Sequence, residues 1–509
     1  MVAEICSGAV LGVDGFGVTV EIDLAAGLPS FAIVGLPNAA VRESRERVTS
    51  AIKNNGYKFP QKRITVNLAP ADVRKEGAAF DLPIALGILM ASGQVACAAV
   101  ARTIILGELA LDGRLKRVKG ALPVALYARG EGFTRILVPE ENVGEAALVS
   151  GLVVVPCRDL GEAVAVIEGA RPRSVEAPRR SSEIRSYDLD YGQVMGQHAA
   201  KRAMEVAAAG GHHVLMVGPP GSGKTMLARR LPSVLPPLDA EEALENAKIL
   251  SVTGGLDGDR PRFERPFRSP HHSASDSGLV GGGRGASPGE ITLAHNGVLF
   301  LDELTEFHRN VLECLRQPIE EGRIVISRAN AVCAYPARFQ LVAAMNPCPC
   351  GYAGSADQRC LCSPLRVRRY LAKVSGPLID RIAIHVPVRA VDPRDLDEGS
   401  AGAGRRSAEM REAVLGAVEA QRERYRAAPG IRRNADLPLS LFDEYCRMEK
   451  EAAELLAAAQ KRLLFSARAR RNIVQVARTI ADLEGVTAIA ARHVAEAAQY
   501  RVPRLLEAG

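Results

Sequence analysis

The sequence predicts an α/β protein built on a P-loop core, preceded by a second α/β region and followed by a helical one. Three observations predict it. Gly218-Pro219-Pro220-Gly221-Ser222-Gly223-Lys224-Thr225 fits G-x-x-x-x-G-K-[ST] between the apolar run Val214–Val217 and a helical pattern over 226–231, the strand-loop-helix context that a phosphate-binding loop requires. A further apolar run over 298–301 ends in Asp302-Glu303. Short β-like runs alternate with helical patterns over 1–165, whereas helical periodicity dominates from 408 onward, the mark of a mixed chain with a helical end.

A chain of 509 residues exceeds what one hydrophobic core supports and suits two or three domains. The expected division is 1–168 for the first domain, 169–188 for a linker rich in Pro, Ser and Arg, 189–395 for the nucleotide-binding core and 396–509 for a helical lid. In the first domain, strands are expected at 17–22, 30–34, 63–67, 103–106 and 135–138, and helices at 39–55, 82–92 and 118–130. In the last, helices are expected at 408–426, 439–460, 467–483 and 488–500. The uncharged run 82–101 approaches membrane-spanning length, but Pro83, Ser92, Gly93 and Gln94 interrupt it, so no membrane span is expected. The start of the chain lacks a basic segment followed by an apolar core. A net charge of +7 favours an anionic partner without identifying it. Six of the ten cysteines are scattered without a disulfide-like framework, which fits a reducing compartment.

The P-loop carries a definite chemistry. Its glycines let backbone N–H groups turn toward phosphate oxygens, Lys224 reaches the terminal phosphates, and Thr225 can ligate Mg²⁺. The ligand expected on Gly218 to Thr225 is therefore a nucleoside triphosphate with Mg²⁺. Asp302 suits the same Mg²⁺, held through water, while Glu303 orients or deprotonates the attacking water. A strand over 341–345 ends at Asn346, whose amide can position that water. Simpler alternatives are a glycine turn that ends in Lys-Thr and a buried strand that exits into an acidic turn.

Between these motifs, 251–290 holds nine glycines, five arginines and His271-His272, too much chain for a plain loop. The segment 321–330 reads as a β-hairpin with Gly322 near its turn. Cys348-Pro349-Cys350, nine residues, then Cys360-Leu361-Cys362 gives four thiols that suit tetrahedral Zn²⁺ with a structural role. Free thiols, a disulfide and an iron–sulfur site are the alternatives, and His271 or His272 could substitute as ligands.

The runs 63–72, 75–83 and 106–114, which include Lys75-Glu76-Gly77 and Leu106-Gly107-Glu108, resemble the protease-type domain of Lon and RadA. That resemblance implies a ribosomal-protein-S5-like fold. The serine nucleophile and lysine base of the proteases correspond to Ala79 and Leu122, which can do neither job, so a non-proteolytic platform is implied. Together with Gly218–Thr225, Arg268-Ser-Pro-His-His272, the 289–303 run, Asn346-Pro-Cys-Pro-Cys-Gly351 and the 477–482 run, these motifs resemble the YifB/ComM family of magnesium-chelatase-like AAA+ ATPases. The resemblance implies a cytoplasmic, hexameric ATPase that acts as a DNA motor of the helicase or branch-migration type in recombination. It makes Asn346 the sensor 1 residue, Arg381 the arginine that reaches a neighbour's γ-phosphate, and Arg468 the sensor 2 arginine that closes over the phosphates. The 251–290 segment becomes a helix-2 insert, and Arg323 and Arg328 become DNA contacts. Two rival functions remain at this point: a chelatase motor subunit that remodels a protein partner, and a Lon-like ATP-dependent protease.

Overall fold

A computed structural model describes residues 2–96, 100–171, 188–256, 263–282, 287–328, 331–354, 359–390, 405–463 and 466–501. The expected linker falls almost wholly outside the described residues, as does the expected boundary near 396.

The N-terminal region opens with a hairpin, Val2–Leu11 against Asp14–Ala25, extended by Arg63–Ala69 and then Ser30–Val34 into a four-stranded sheet. The sequence reading missed Val2–Leu11 because Ser7-Gly8 interrupts its alternation. Tertiary packing requires that interruption: a Cβ on Gly8 would lie 2.4 Å from Val124 Cγ1. Helix Asp81–Ala91 is buried along almost its whole length against this sheet. This is why 82–91 lacks charge, and at eleven residues the helix belongs to a core rather than a bilayer. Among the described residues no helix is long and apolar enough to cross a membrane. A parallel sheet of Thr103–Ile105, Arg135–Pro139 and Val153–Cys157 completes the region with helix Ala121–Gly130.

The central sheet runs Phe267–Arg268, Val298–Leu301, Gln340–Met345, Val214–Val217, Ile384–Pro387, parallel at every neighbouring pair. Val214–Val217, Val298–Leu301 and Gln340–Met345 are buried throughout, so apart from Gln340 they read as continuous apolar runs rather than alternating ones. The phosphate-loop strand lies between Gln340–Met345 and Ile384–Pro387, and its C-terminal end faces the crevice where ligands bind in open α/β sheets. Helices His198–Gly210, Ser407–Arg424 and Ala467–Leu483 share one core against this sheet.

Three expected elements differ, the first being the helix over 39–55, which is two helices, Ala39–Arg42 and Ser44–Asn54. The single helix over 439–460 is broken: Phe442–Tyr445 is one turn and Lys450–Leu463 a separate helix. Between them Met448 bridges Ile489, with Ile489 N donating to Arg447 O at 2.9 Å and Glu449 N to Ile489 O at 3.0 Å, which draws the backbone out of the helix. Gly322 is not at the hairpin turn. It ends helix Arg316–Glu321 with φ of 64°, a left-handed stop that glycine adopts without strain, and the hairpin then pairs Arg323–Arg328 with Ala331–Pro336.

The core also sets an acid limit. Burial pushes His212 down to about 3 and His385 down to about 4, so both are neutral when folded, whereas an unfolded histidine titrates near 6.5. Their contribution is complete above pH ~6.5 and is lost as pH falls toward 4, at up to about 1.4 kcal/mol per pH unit for each. Calorimetry at fixed ionic strength should show the unfolding temperature falling between pH 6.5 and 4.5, with a shallower fall for His212→Gln.

Candidate functional site

The phosphate loop is shaped by its backbone. A Cβ on Gly218 would meet Val388 O at 2.0 Å, and Gly223 stands at φ of 89°, so glycine is needed at both for different reasons. The loop delivers Lys224 to the head of helix Lys224–Arg230. Its Nζ donates to Gly218 O at 2.8 Å and Pro219 O at 2.7 Å, and lies 3.3 Å from Asn346 Oδ1. Burial lowers the Lys224 pKa against the opposing pull of Asp302 and Glu303, so a phosphate here would meet a partly desolvated ammonium.

Thr225 Oγ1 donates to Asp302 Oδ2 at 2.6 Å, joining the two groups expected to hold Mg²⁺. Asp302 Oδ1 accepts from Glu303 N at 3.0 Å. Glu303 itself is at φ 51° and ψ 47°, a left-handed backbone costly for a residue with a side chain and characteristic of functional turns. Asn346 follows strand Gln340–Met345, so Lys224, Thr225, Asp302, Glu303 and Asn346 meet in one place. Glu303 and Asn346 line an open pocket of about 420 Å³. The arrangement can bind an Mg²⁺-triphosphate and place a carboxylate and an amide near its terminal phosphate.

Arg381 and Arg468 are elsewhere. Arg381 Nη2 lies 2.7 Å from Glu320 Oε1, and its Nη1 donates to Pro377 O at 2.6 Å. Arg468 pairs with that same Glu320 oxygen. Both arginines line a second cavity of about 620 Å³, which does not include Glu303 or Asn346. Arg468 thus stands beside Arg381 rather than over its own phosphate loop. The turn that carries Arg381 is braced from the C-terminal helices: Asn472 donates to Asp380 O at 3.1 Å and Arg501 to Ile382 O at 2.6 Å.

Glu320 escapes the sequence reading, and His272 figures there only as a motif residue and a substitute ligand for the thiols. Glu320 sits near the end of a helix with no motif around it. His272 comes from the 251–290 segment and its Nδ1 lies 3.4 Å from Glu303 Oε2, while His271 Nδ1 is 2.8 Å from Ser273 Oγ. The His-His pair is therefore at the carboxylate, not among the thiols as substitute ligands. The 251–290 segment is partly folded, with helix Asp276–Val280 and the short pair Gly281–Gly282 and Ser287–Pro288; residues 257–262 and 283–286 lie outside the described residues.

The sulfurs of Cys348, Cys350, Cys360 and Cys362 all lie within 4.8 Å of one another. Neighbouring sulfurs stand at 3.3, 3.5 and 3.7 Å, close to the ~3.8 Å separation of thiolates around tetrahedral Zn²⁺ and far beyond a disulfide bond. The Cys350 thiol is brought down to about 6 by N–H donation from Tyr352 and Leu361 and by Cys348, whereas Cys360 and Cys362 are raised, so the case for a metal rests on the spacing of the sulfurs. All four thiols are thus placed to hold a zinc ion.

On the hairpin, Arg323 is exposed and 3.3 Å from Glu321; the side chain of Arg328 lies outside the described residues. In the N-terminal region Leu122 is buried, with its N–H 3.4 Å from Ser251 Oγ, and Ala79 precedes helix Asp81–Ala91. Neither offers a nucleophile or a base. Helix Ala121–Gly130 instead packs on helix Ala240–Thr253, and Lys248 reaches Asp14 at 2.6 Å, joining the two α/β regions.

Sequence profiles described as Magnesium chelatase, subunit ChlI; Subunit ChlI of Mg-chelatase; and Magnesium chelatase, subunit ChlI C-terminal match residues 190–396, 20–142 and 404–501. The chain is 44% identical to the uncharacterized protein YifB of Escherichia coli K12 over 500 residues, 98% of this chain and 97% of that protein. It is also 44% identical to competence protein ComM of Haemophilus influenzae over 510 residues, 99% and 98% of the two chains. A weaker likeness, 29% over 154 residues, 27% of this chain and 26% of the other, links it to Lon protease 2 of Bacillus subtilis. With a phosphate loop, an Asp-Glu strand end and Asn346 assembled on one parallel sheet, and with likeness along nearly its whole length, the chain belongs to the YifB/ComM family of magnesium-chelatase-like AAA+ ATPases.

Proposed function

We propose that this protein is an ATP-dependent DNA motor of the helicase or branch-migration type, working as a cytoplasmic hexameric ring in homologous recombination of DNA, as in natural transformation. The division into a Lon-like platform over 1–168, a linker over 169–188, an AAA+ core over 189–395 and a lid over 396–509 belongs to the same reading. The observation that carries it is the separation of the two arginines from the phosphate pocket. Lys224, Thr225, Asp302, Glu303 and Asn346 form one half of a hydrolytic site, while Arg381 and Arg468 stand together at Glu320 in another cavity. A head-to-tail contact that joins these halves is heterologous and closes into a ring when repeated about an axis. The likeness to a competence protein and the basic net charge support DNA as the partner.

In this reading Gly218 to Thr225 bind ATP, Thr225 and Asp302 hold Mg²⁺, Glu303 and Asn346 position the attacking water, and the four cysteines hold structural Zn²⁺. ATPase rate is the direct test, measured with and without single-stranded, duplex and branched DNA. DNA should raise the rate severalfold, and unfolded casein should stay intact. A rate indifferent to all three DNAs would favour a chelatase-like motor acting on a protein, and casein cleavage that survives repurification would favour the protease.

A further inference from the structure

The four-cysteine loop lies between strand Gln340–Met345 and the phosphate pocket and touches both. It leaves the sheet directly after Asn346, and Cys348 is fully buried, its sulfur accepting from Ala353 N at 3.3 Å. Gly351 packs on the phosphate loop itself: a Cβ there would lie 2.5 Å from Pro220 Cδ. The far end of the loop passes from Cys362 into Ser363, whose side chain caps helix Pro364–Leu371. That helix is anchored by buried Tyr370, and just beyond it Lys373 lies 3.7 Å from Glu306. Arg366 and Arg369 line the same 420 Å³ pocket as Glu303 and Asn346, and among the described residues no ion pair engages either guanidinium. With Glu306 matched by Lys373, two guanidiniums share this pocket with the single carboxylate of Glu303. That is a surplus of positive charge beside the place where a terminal phosphate would lie, and a planar fork suits phosphate oxygens.

We propose that Arg366 and Arg369 are phosphate-binding residues of the nucleotide site, and that a metal ion on Cys348, Cys350, Cys360 and Cys362 holds their helix in place, so that metal occupancy governs nucleotide turnover. The inference rests on the nucleotide reading of the phosphate loop. Four thiolate bonds fix both ends of the loop at once. One end abuts Pro220 and the other sets the start of the arginine helix; release of the metal frees that start and leaves the arginines on a mobile segment. The arginines bind the anion, and the cysteines act through them as positioning residues.

The test uses the full chain, with zinc content by elemental analysis, affinity for a fluorescent ATP analogue with Mg²⁺, and ATPase kinetics. Arg366→Ala/Arg369→Ala should keep about one zinc per chain and lose about tenfold or more in kcat/KM, the scale expected for charge-assisted phosphate contacts. Cys360→Ser/Cys362→Ser should lose both zinc and a similar factor in kcat/KM. Combining the four substitutions should cost little beyond the cysteine pair, because coupled groups are non-additive. Chelation of the parental protein should lower the rate and zinc should restore it, a result that misfolding of the cysteine variant cannot supply. Parental kinetics in the double-arginine variant alongside a crippled Lys224→Ala would overturn the inference while leaving the phosphate site intact. Parental kinetics in Lys224→Ala as well would remove the nucleotide reading itself. Unchanged turnover after complete zinc removal would overturn the metal's role.

Discussion

Glu303→Gln should bind ATP and Mg²⁺ about as tightly as the parent and hydrolyse it at least about a hundredfold more slowly, the usual loss when a general base is removed. The glutamine keeps the volume and hydrogen-bonding reach of the carboxylate but cannot take a proton from water. Lys224→Ala should fail differently, since it removes the buried ammonium that meets the phosphates and so weakens nucleotide binding as well as turnover. Equilibrium binding of a labelled nucleotide separates the two, and single-turnover hydrolysis measures the chemical step. A Glu303→Gln protein that turns over at the parental rate would show that the strand end at Asp302-Glu303 does not run the reaction. The left-handed backbone at Glu303 and the approach of His272 then need another explanation.

Arg381→Ala should slow hydrolysis by roughly 10³-fold while sparing nucleotide binding, the scale of an arginine that stabilises charge on a transferring phosphoryl group. The structure adds a condition. Arg381 is held by Glu320 and by its own chain's Pro377 carbonyl, so reaching a neighbour's phosphate requires it to exchange those partners. Mixing experiments give the sharper result. Arg381→Ala and Lys224→Ala subunits, each nearly inactive alone, should form some interfaces that pair an intact phosphate loop with an intact Arg381, and activity should partly return. Mixed rings that stay inactive at every ratio, or a fully active Arg381→Ala protein, would remove the arginine from the shared site.

The parts of this protein whose chemistry lies in contiguous residues can be read from the chain alone. The phosphate loop, the apolar strand ending in Asp302-Glu303 and the paired cysteines are legible because each requirement is local: glycines where the backbone must turn left-handed or approach another chain segment, an uncharged run where a strand is buried on both faces, thiols spaced to share one ion. Whatever depends on distant segments meeting is set by the fold. Asn346 reaches Lys224 only because Gln340–Met345 pairs beside the phosphate-loop strand. His272 gains its place at Glu303 from the fold of an insertion whose sequence shows glycines, arginines and little periodicity. Arg468 joins Arg381 because helix Arg316–Glu321 presents Glu320 to both, a contact between residues 148 positions apart in the chain. Val2–Leu11 was hidden for the same reason: its glycine is set by the bulk of Val124 across the core, and a local pattern carries no record of that neighbour.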